Sequence, residues 1–353
     1  MFLYNRHRVT EILNTAPVIQ NLLSVETDEN FICPYDKLII GAGILPQQPF
    51  IDLVRPASFH ADDDDSFYQN KLIYDLFSVQ WSPMNPLAPA TSIMLNPWKH
   101  RLTPDAVLAL VDLVLGNHYD AFIVKSDDKV DCVQFLSSEE LSKRLYVAYQ
   151  KKPPQDYQSL GQTFLYGKRG WQQVKNYDKA EEQGLADTIW TRIERTRRQK
   201  DKHTRKTLLQ FLFDERADAM KHMIVVDTDK FSGKDKIMRR IKKYGTFQEA
   251  FMSLNAVEKR KLKAHEAFKK PIIDLGSTFR TDLDKWMSGS LRLYFTFKSY
   301  AVLKASWSGK DTITYRTVRI DPINLNYTGA SLEPYVGKEK YRLRQNYLTD
   351  VLS

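Results

Sequence analysis

The sequence predicts an α+β protein: a central antiparallel sheet with packed helices, then a basic helical region, then a β-rich C-terminal piece. Three observations predict it. Short runs of β-branched and aromatic residues, alternating with polar ones, recur between residues 73 and 196 and again in LRLYFTF, YAVLKAS and TITYRTVRI near the C-terminus. A strongly apolar helix, capped at both ends, interrupts the first set. Between the two sets lie basic, helix-periodic segments such as RKTLLQFLFDERADAMKHM and QEAFMSLNAVEKRKLKAHEAF.

Taken in order, residues 1–70 mix short apolar runs with Pro34, Pro46, Pro49 and Pro56 and end near the run Asp62–Asp65. That run reads as a solvated loop, because consecutive carboxylates point in different directions and do not converge on one ion. Ile73–Gln80 reads as a strand, Ser82–Pro89 as a proline-rich loop and Ser92–Leu95 as a second strand. Thr103-Pro104-Asp105 opens a helix: Thr103 is an N-cap, Pro104 suits the first helical position and Asp105 favours the positive end of the dipole. The helix runs Pro104–Leu115, is apolar on most sides and stops at Gly116, so it is expected to be buried. Asp120–Lys125 and Val130–Leu136 read as two strands around a Ser126-Asp127-Asp128-Lys129 turn. Gln162–Tyr166 and Gln172–Tyr177 read as a hairpin around Gly167-Lys168-Arg169-Gly170, and Thr188–Thr196 as a further strand.

The 353 residues suffice for two domains or for one with large additions. The expected division is residues 1–70 of unclear role, 71–200, a basic helical region over 201–290, and 291–353. Residues 1–150 hold 11 Lys and Arg against 19 Asp and Glu, a net of −8; residues 151–353 hold 41 against 24, a net of +17. A basic half of that size is expected to face a polyanion, with nucleic acid favoured over simple solvation of helices. Cys33 and Cys132 show neither metal spacing nor a disulfide framework, which points to a reducing cytoplasm. No apolar run approaches the ~18 residues of a membrane span, and MFLYNRHRVTEILN lacks the apolar core of a signal peptide. No P-loop, no His-x-His pair and no Ser/His/Asp signature is present.

The densest chemistry lies in 161–198, GQTFLYGKRGWQQVKNYDKAEEQGLADTIWTRIERTRR. In an extended strand Lys175, Tyr177 and Lys179 share a face, and two ammonium groups beside a phenol are expected to lower its pKa from ~10. A tyrosine needs such help, or a base, to act as a nucleophile. The competing reading is an ordinary strand tyrosine, one of 18 in the chain. Trp190, Arg192 and Glu194 share one face of the next strand, where the arginine would keep the carboxylate ionised. Asp131, in Val130-Asp131-Cys132-Val133-Gln134-Phe135, points with apolar neighbours and needs an ion pair or a metal to offset its burial.

Tyr177-Asp178-Lys179 followed by Trp190-Thr191-Arg192-Ile193-Glu194 resembles the signature of the rolling-circle replication initiation factor family, which includes initiators of staphylococcal-type plasmids and the gene II protein of filamentous phages. The similarity spans roughly Ser92 to Thr196. It implies a nicking domain over 71–200, with Tyr177 as the nucleophile that forms a 5′-phosphotyrosine link and Lys179 as a helper at the phosphate. It further implies Glu194 and Asp131 as ligands of Mg²⁺ or Mn²⁺. Two departures are visible: Lys129 stands where an arginine is usual, and Gln134 and Phe135 stand where a second upstream acid is expected. The implied function is initiation of rolling-circle replication of a plasmid or phage. A relaxase of a mobilisable element and a non-catalytic DNA-binding regulator stay open as alternatives.

The implied partner is origin DNA, single-stranded or in a hairpin, with host helicase and polymerase acting downstream, no membrane, and a homodimer compatible with the sequence. Candidate DNA contacts are Lys175, Arg192, Arg195, Arg197, Arg198 and Lys200 around the site. Arg239 and Arg240 in KDKIMRRIKK form a second basic patch. Trp98, Phe164 and Trp171 are candidate platforms for unstacked bases.

Overall fold

The computed structural model of the protein describes residues 2–24, 31–60, 67–150, 155–157, 163–167, 173–185, 187–198, 206–213, 220–231 and 235–288. Asp62–Asp65, Trp171, Lys200 and the β-rich segment expected over 291–353 lie outside the described residues.

The chain opens with β1 (Phe2–Tyr4), α1 (Arg6–Asn14), α2 (Pro17–Ser24), β2 (Tyr35–Ala42), α3 (Gln48–Val54) and β3 (Ser58–His60). It continues through β4 (Tyr68–Ile73), β5 (Phe77–Pro83), β6 (Thr91–Leu95), α4 (Pro104–Leu115) and β7 (Ala121–Val133). Then follow α5 (Ser138–Arg144), β8 (Leu145–Val147), β9 (Gln155–Tyr157), β10 (Thr163–Tyr166), β11 (Val174–Asp178), α6 (Lys179–Glu182) and β12 (Trp190–Arg198). The last stretch holds α7 (Leu208–Phe213), β13 (Met223–Val225), α8 (Lys236–Tyr244), α9 (Phe247–Met252), α10 (Ala256–Ala264), α11 (Glu266–Lys269), β14 (Ile273–Asp274) and α12 (Leu275–Ser288).

Eleven strands form one sheet in the order β3-β1-β4-β5-β6-β2-β7-β12-β11-β10-β9. Only β1 and β4 pair in parallel; the other neighbours are antiparallel. The expected α+β class with a large, nearly all-antiparallel sheet is therefore what the protein adopts. Strand β2, drawn from the N-terminal region, inserts between β6 and β7. A small second sheet, β14-β13-β8, is surrounded by α8–α11 and has its own aromatic core around Tyr146, Phe231, Phe247 and Phe251. No described helix is long and apolar enough to cross a membrane. Cys33 and Cys132 are free, buried thiols whose pKa values burial pushes up to about 12.

Helix α4 forms as its residues dictate. Thr103 Oγ1 accepts the Ala106 N–H, Pro104 occupies the first turn and Gly116 closes the helix in the left-handed conformation, φ 84°. A Cβ at that φ would be strained, so glycine suits the position. The two strands of the expected hairpin pair as β10 and β11, with Phe164 opposite Asn176, while residues 168–172 of its turn lie outside the described residues.

Two expectations fail. Ile73–Gln80 is not one strand: Tyr74–Leu76 turns the chain, the Tyr74 N–H donating to the Phe77 carbonyl at 2.9 Å, and β4 pairs with β5. More consequentially, Ser126-Asp127-Asp128-Lys129 is not a turn. It lies inside the 13-residue strand β7, and all four residues are buried. Partners on neighbouring strands make this possible. Thr196 Oγ1 donates to Asp127 Oδ1 at 2.6 Å, Lys125 pairs with Asp127 at 2.9 Å, and the Arg197 guanidinium grips both Asp128 oxygens. Buried polar groups are tolerated when each finds a partner.

Candidate active site

The site is a patch of one sheet face where β7, β12 and β11 run side by side. The register sets two rows. Tyr177 lies opposite Arg192, which lies opposite Asp131; one pleat on, Lys175 lies opposite Glu194, which lies opposite Lys129. Because side chains alternate along a strand, all six point to the same side. The pairings expected from each strand alone thus come together: Tyr177, Glu194, Asp131, Lys175 and Arg192 share one patch.

The Arg192 row is electrically closed. The Arg192 side chain has no exposure, and its guanidinium bonds Asp131 in a two-pronged arrangement (2.6 and 3.0 Å) and Asp36 of β2 at 2.7 Å. Lys129 Nζ forms a further bond to Asp131. Burial alone would raise the Asp131 carboxyl, but Lys129 and Arg192 override it and hold the group below the ordinary carboxylate range. The Trp98 indole stacks under the guanidinium, 4.0 Å from its carbon, and packs edge-on against Trp190 at 5.7 Å. Trp98 is therefore engaged with Arg192 rather than presented as a base platform.

The Glu194 row is not closed. Glu194 is buried, and its two oxygens receive one neutral donor and one long ion pair. Tyr177 Oη donates to Oε1 at 2.5 Å, and Lys175 Nζ lies 3.6 Å from Oε2. Burial first and the nearby Asp36 carboxylate second push the Glu194 carboxyl above its ordinary value. The expected lowering of the Tyr177 pKa does not occur: burial and the Glu194 charge drive the phenol far upward. The reason is local. Strand β11 ends at Asp178, whose side chain caps α6 by accepting the Glu181 N–H, so Lys179 opens a helix instead of continuing the strand. Lys179 Nζ then pairs with Glu182 at 2.7 Å and sits 5.9 Å from the Tyr177 ring centroid. In chemical terms, a phenol hydrogen-bonded to a carboxylate of raised basicity is a nucleophile with its base attached.

The other candidate cations divide by burial. Arg195 and Arg197 alternate to the opposite face: Arg195 is buried with its guanidinium over the Tyr149 ring at 4.8 Å, and Arg197 is held by Asp128. Arg198, Arg239, Lys242 and Lys243 are exposed. Arg240 is partly buried, its guanidinium donating to the Ser253 carbonyl at 2.5 Å and so tying α8 to the end of α9.

The pair Asp131 and Glu194 does not fit a divalent cation. Both Asp131 oxygens are taken by Arg192 and Lys129, and cationic donors on the same oxygens oppose a metal. Glu194 alone is one ligand where such ions take several oxygens. Among the described residues no group of three or more His, Cys, Asp or Glu side chains converges on one point.

Three contributors went unassigned in the sequence: Asp36, the ion-pair role of Lys129, and Trp98 as the seat of Arg192. Asp36 gives no periodic signal in Pro34-Tyr35-Asp36-Lys37; it reaches Arg192 because the β2–β7 register shifts between Tyr35 and Lys37.

No protein-family model matches the chain, and no curated protein matches it. A solved structure similar to it is the rolling circle replication initiator protein from Geobacillus stearothermophilus, at 14% identity over 46% of this chain and 73% of that one, with a TM-score of 0.30. At that identity and TM-score the likeness carries no weight for the site.

Proposed function

We propose that this patch cuts and rejoins a DNA strand, and that the protein starts rolling-circle replication of a plasmid or phage. The observation that carries the reading is the Tyr177–Glu194 contact: a tyrosine hydroxyl 2.5 Å from a buried carboxylate whose one ion pair, to Lys175, is long at 3.6 Å. The motif resemblance around YDK and WTRIE is consistent with it.

In the proposed step Tyr177 Oη attacks a backbone phosphorus as Glu194 takes the phenolic proton. The bond from phosphorus to the 3′-oxygen breaks, leaving a 5′-phosphotyrosine and a free 3′-hydroxyl that primes synthesis. The departing 3′-oxygen receives a proton from water or from the Glu194 carboxylic acid. Lys175 is the nearest cation to Glu194 and supplies charge for the phosphate oxygens as the transition state forms. No step is routed through Mg²⁺ or Mn²⁺, because the described carboxylates do not make a donor set for it.

A second reading is supported by the same buried network: Tyr177 and Glu194 as a structural pair in a DNA-binding regulator. Covalent capture separates the two. Purified protein is incubated with labelled single-stranded oligonucleotides of random sequence, with Mn²⁺ and separately with EDTA, then denatured and resolved. The nicking reading expects a labelled adduct that Tyr177→Phe reduces at least about a thousandfold while binding is kept. An adduct undiminished in the Phe variant assigns the nucleophile to another residue; no adduct in any condition favours the regulator.

A further inference from the structure

Away from the Tyr177 patch, a cleft of about 960 Å³ opens between the small sheet and the start of α12. Its lining is basic. Lys221 and His222 come from the turn before β13, Lys263 from the end of α10, Lys269 from the end of α11 and Arg280 from α12, and all five are exposed. Asp274 is the acidic residue of the lining, and its Oδ1 is already accepting the N–H groups of Gly276 and Ser277 at 3.0 and 3.2 Å. Four lysine and arginine charges from four separate chain segments thus converge on one concavity with a single opposing carboxylate among the described lining residues. Lys263, Lys269 and Arg280 form no ion pair among the described residues.

The turn that brings Lys221 and His222 into place is held in a disfavoured backbone state. Met220 and His222 both have left-handed φ, 59° and 60°, a conformation that side-chain-bearing residues rarely adopt. The start of α12 packs against this turn, Gly276 lying beside Lys221 and Met220. Phe268, half-buried, adds an aromatic surface to the same wall.

We propose that this cleft binds single-stranded nucleic acid, the cations holding successive phosphates and Phe268 stacking a base. A cluster of cations around a concave wall matches a polyanion, and an aromatic among them matches a strand whose bases are unpaired. The choice of DNA as the strand rests on the proposed function; the cleft does not depend on the Tyr177 chemistry.

The test is fluorescence anisotropy of the whole protein with a labelled oligothymidine of about 12 nucleotides, over a range of salt. Lys263→Gln, Lys269→Gln and Arg280→Gln are combined in one variant. All three side chains are exposed, so the fold is kept, and circular dichroism checks it. The expected result is a Kd raised roughly tenfold or more at low salt and a salt slope flattened by about two units, from three contacts at about 0.7 each. A control variant changing Arg55, Lys99 and Lys143, exposed cations outside the cleft and outside the other candidate DNA contacts, is expected to shift neither by more than a small fraction. Equal losses in the two variants would mean that net charge alone governs binding and would overturn the site. Equal or tighter binding of a duplex of the same length would overturn the single-strand assignment. Adduct formation is read in parallel. Wild type that binds through the cleft but forms no adduct removes the nicking reading and leaves the cleft. A cleft variant that binds like wild type, beside a wild type that forms the adduct, does the reverse.

Discussion

Two rows of side chains, one pleat apart on the same three strands, behave in opposite ways. In the Tyr177–Arg192–Asp131 row a buried guanidinium is matched by two carboxylates, and Lys129 completes the balance. In the Lys175–Glu194–Lys129 row a buried carboxylate has a phenol at 2.5 Å and a half-exposed lysine at 3.6 Å, and Lys129 has turned to Asp131. Both rows carry carboxylates on a sheet face, yet burial and partners shift the two in opposite directions, Asp131 down and Glu194 up. Reactivity is expected where charge is left uncompensated, because a group held away from its preferred protonation state has the driving force to exchange a proton. The closed row gives rigidity; the open row gives a base.

The largest test of that contrast is Arg192→Met. Removing the guanidinium leaves Asp131 and Asp36 facing one another in a buried site, and a loss of about 3–5 kcal/mol in unfolding free energy is expected, read from urea denaturation. A loss below about 1 kcal/mol would show that solvent already balances the row.

Next comes Glu194→Gln. It keeps the shape and a partner for Tyr177 but removes the base, so the adduct rate should fall by about a hundred- to a thousandfold, while stability at neutral pH stays level or rises because a buried charge is gone. Unfolding at lower urea than wild type, with adduct formation intact, would make Glu194 the structural residue of the patch and erase the contrast.

A smaller effect separates cations that hold the fold from cations left for a ligand. Arg198→Ala should flatten the salt dependence of DNA binding by up to about 0.7–0.9 units with little change in stability. Arg197→Ala should instead destabilise, since Asp128 beneath it has no exposure and would lose its partner. Exchange of these two outcomes would mean that the opposite face, not the edge of β12, meets the DNA.

The smallest effect is the pH dependence. The depressed Asp131 carboxyl contributes stability that is present above its ordinary value of 3.8 and is lost as pH falls through its lower folded value. The raised Glu194 carboxyl works the other way: its contribution is present below 4.5 and is lost as pH rises through its folded value above that. Denaturation curves between about pH 4 and 7 should therefore show a decline with rising pH that Glu194→Gln flattens. Asp131→Asn should leave that decline in place and act below it. Identical pH profiles for the two variants would mean that the two carboxylates share one environment.

What could be read along the chain was whatever short-range physics decides. Helix α4 was legible to its ends, because Thr103, Pro104 and Gly116 act on backbone groups within a turn of themselves. The hairpin of β10 and β11 and the strand β12 were legible from alternation, which also placed Trp190, Arg192 and Glu194 on one face. The sequence alone could not reveal that Ser126–Lys129 is buried strand. Four polar residues in a row resemble a turn until Thr196 and Arg197, some seventy positions on, supply partners for Asp127 and Asp128. Nor could it reveal Asp36, which belongs to the site only because β2 lies beside β7. The chain by itself thus set the residue types and the faces they share, since alternation and capping are local. Tertiary structure decided which of those charges cancel, since ion pairing depends on a register between strands that the chain reaches only by folding. That register closes the row at Arg192 and leaves the one at Glu194 open.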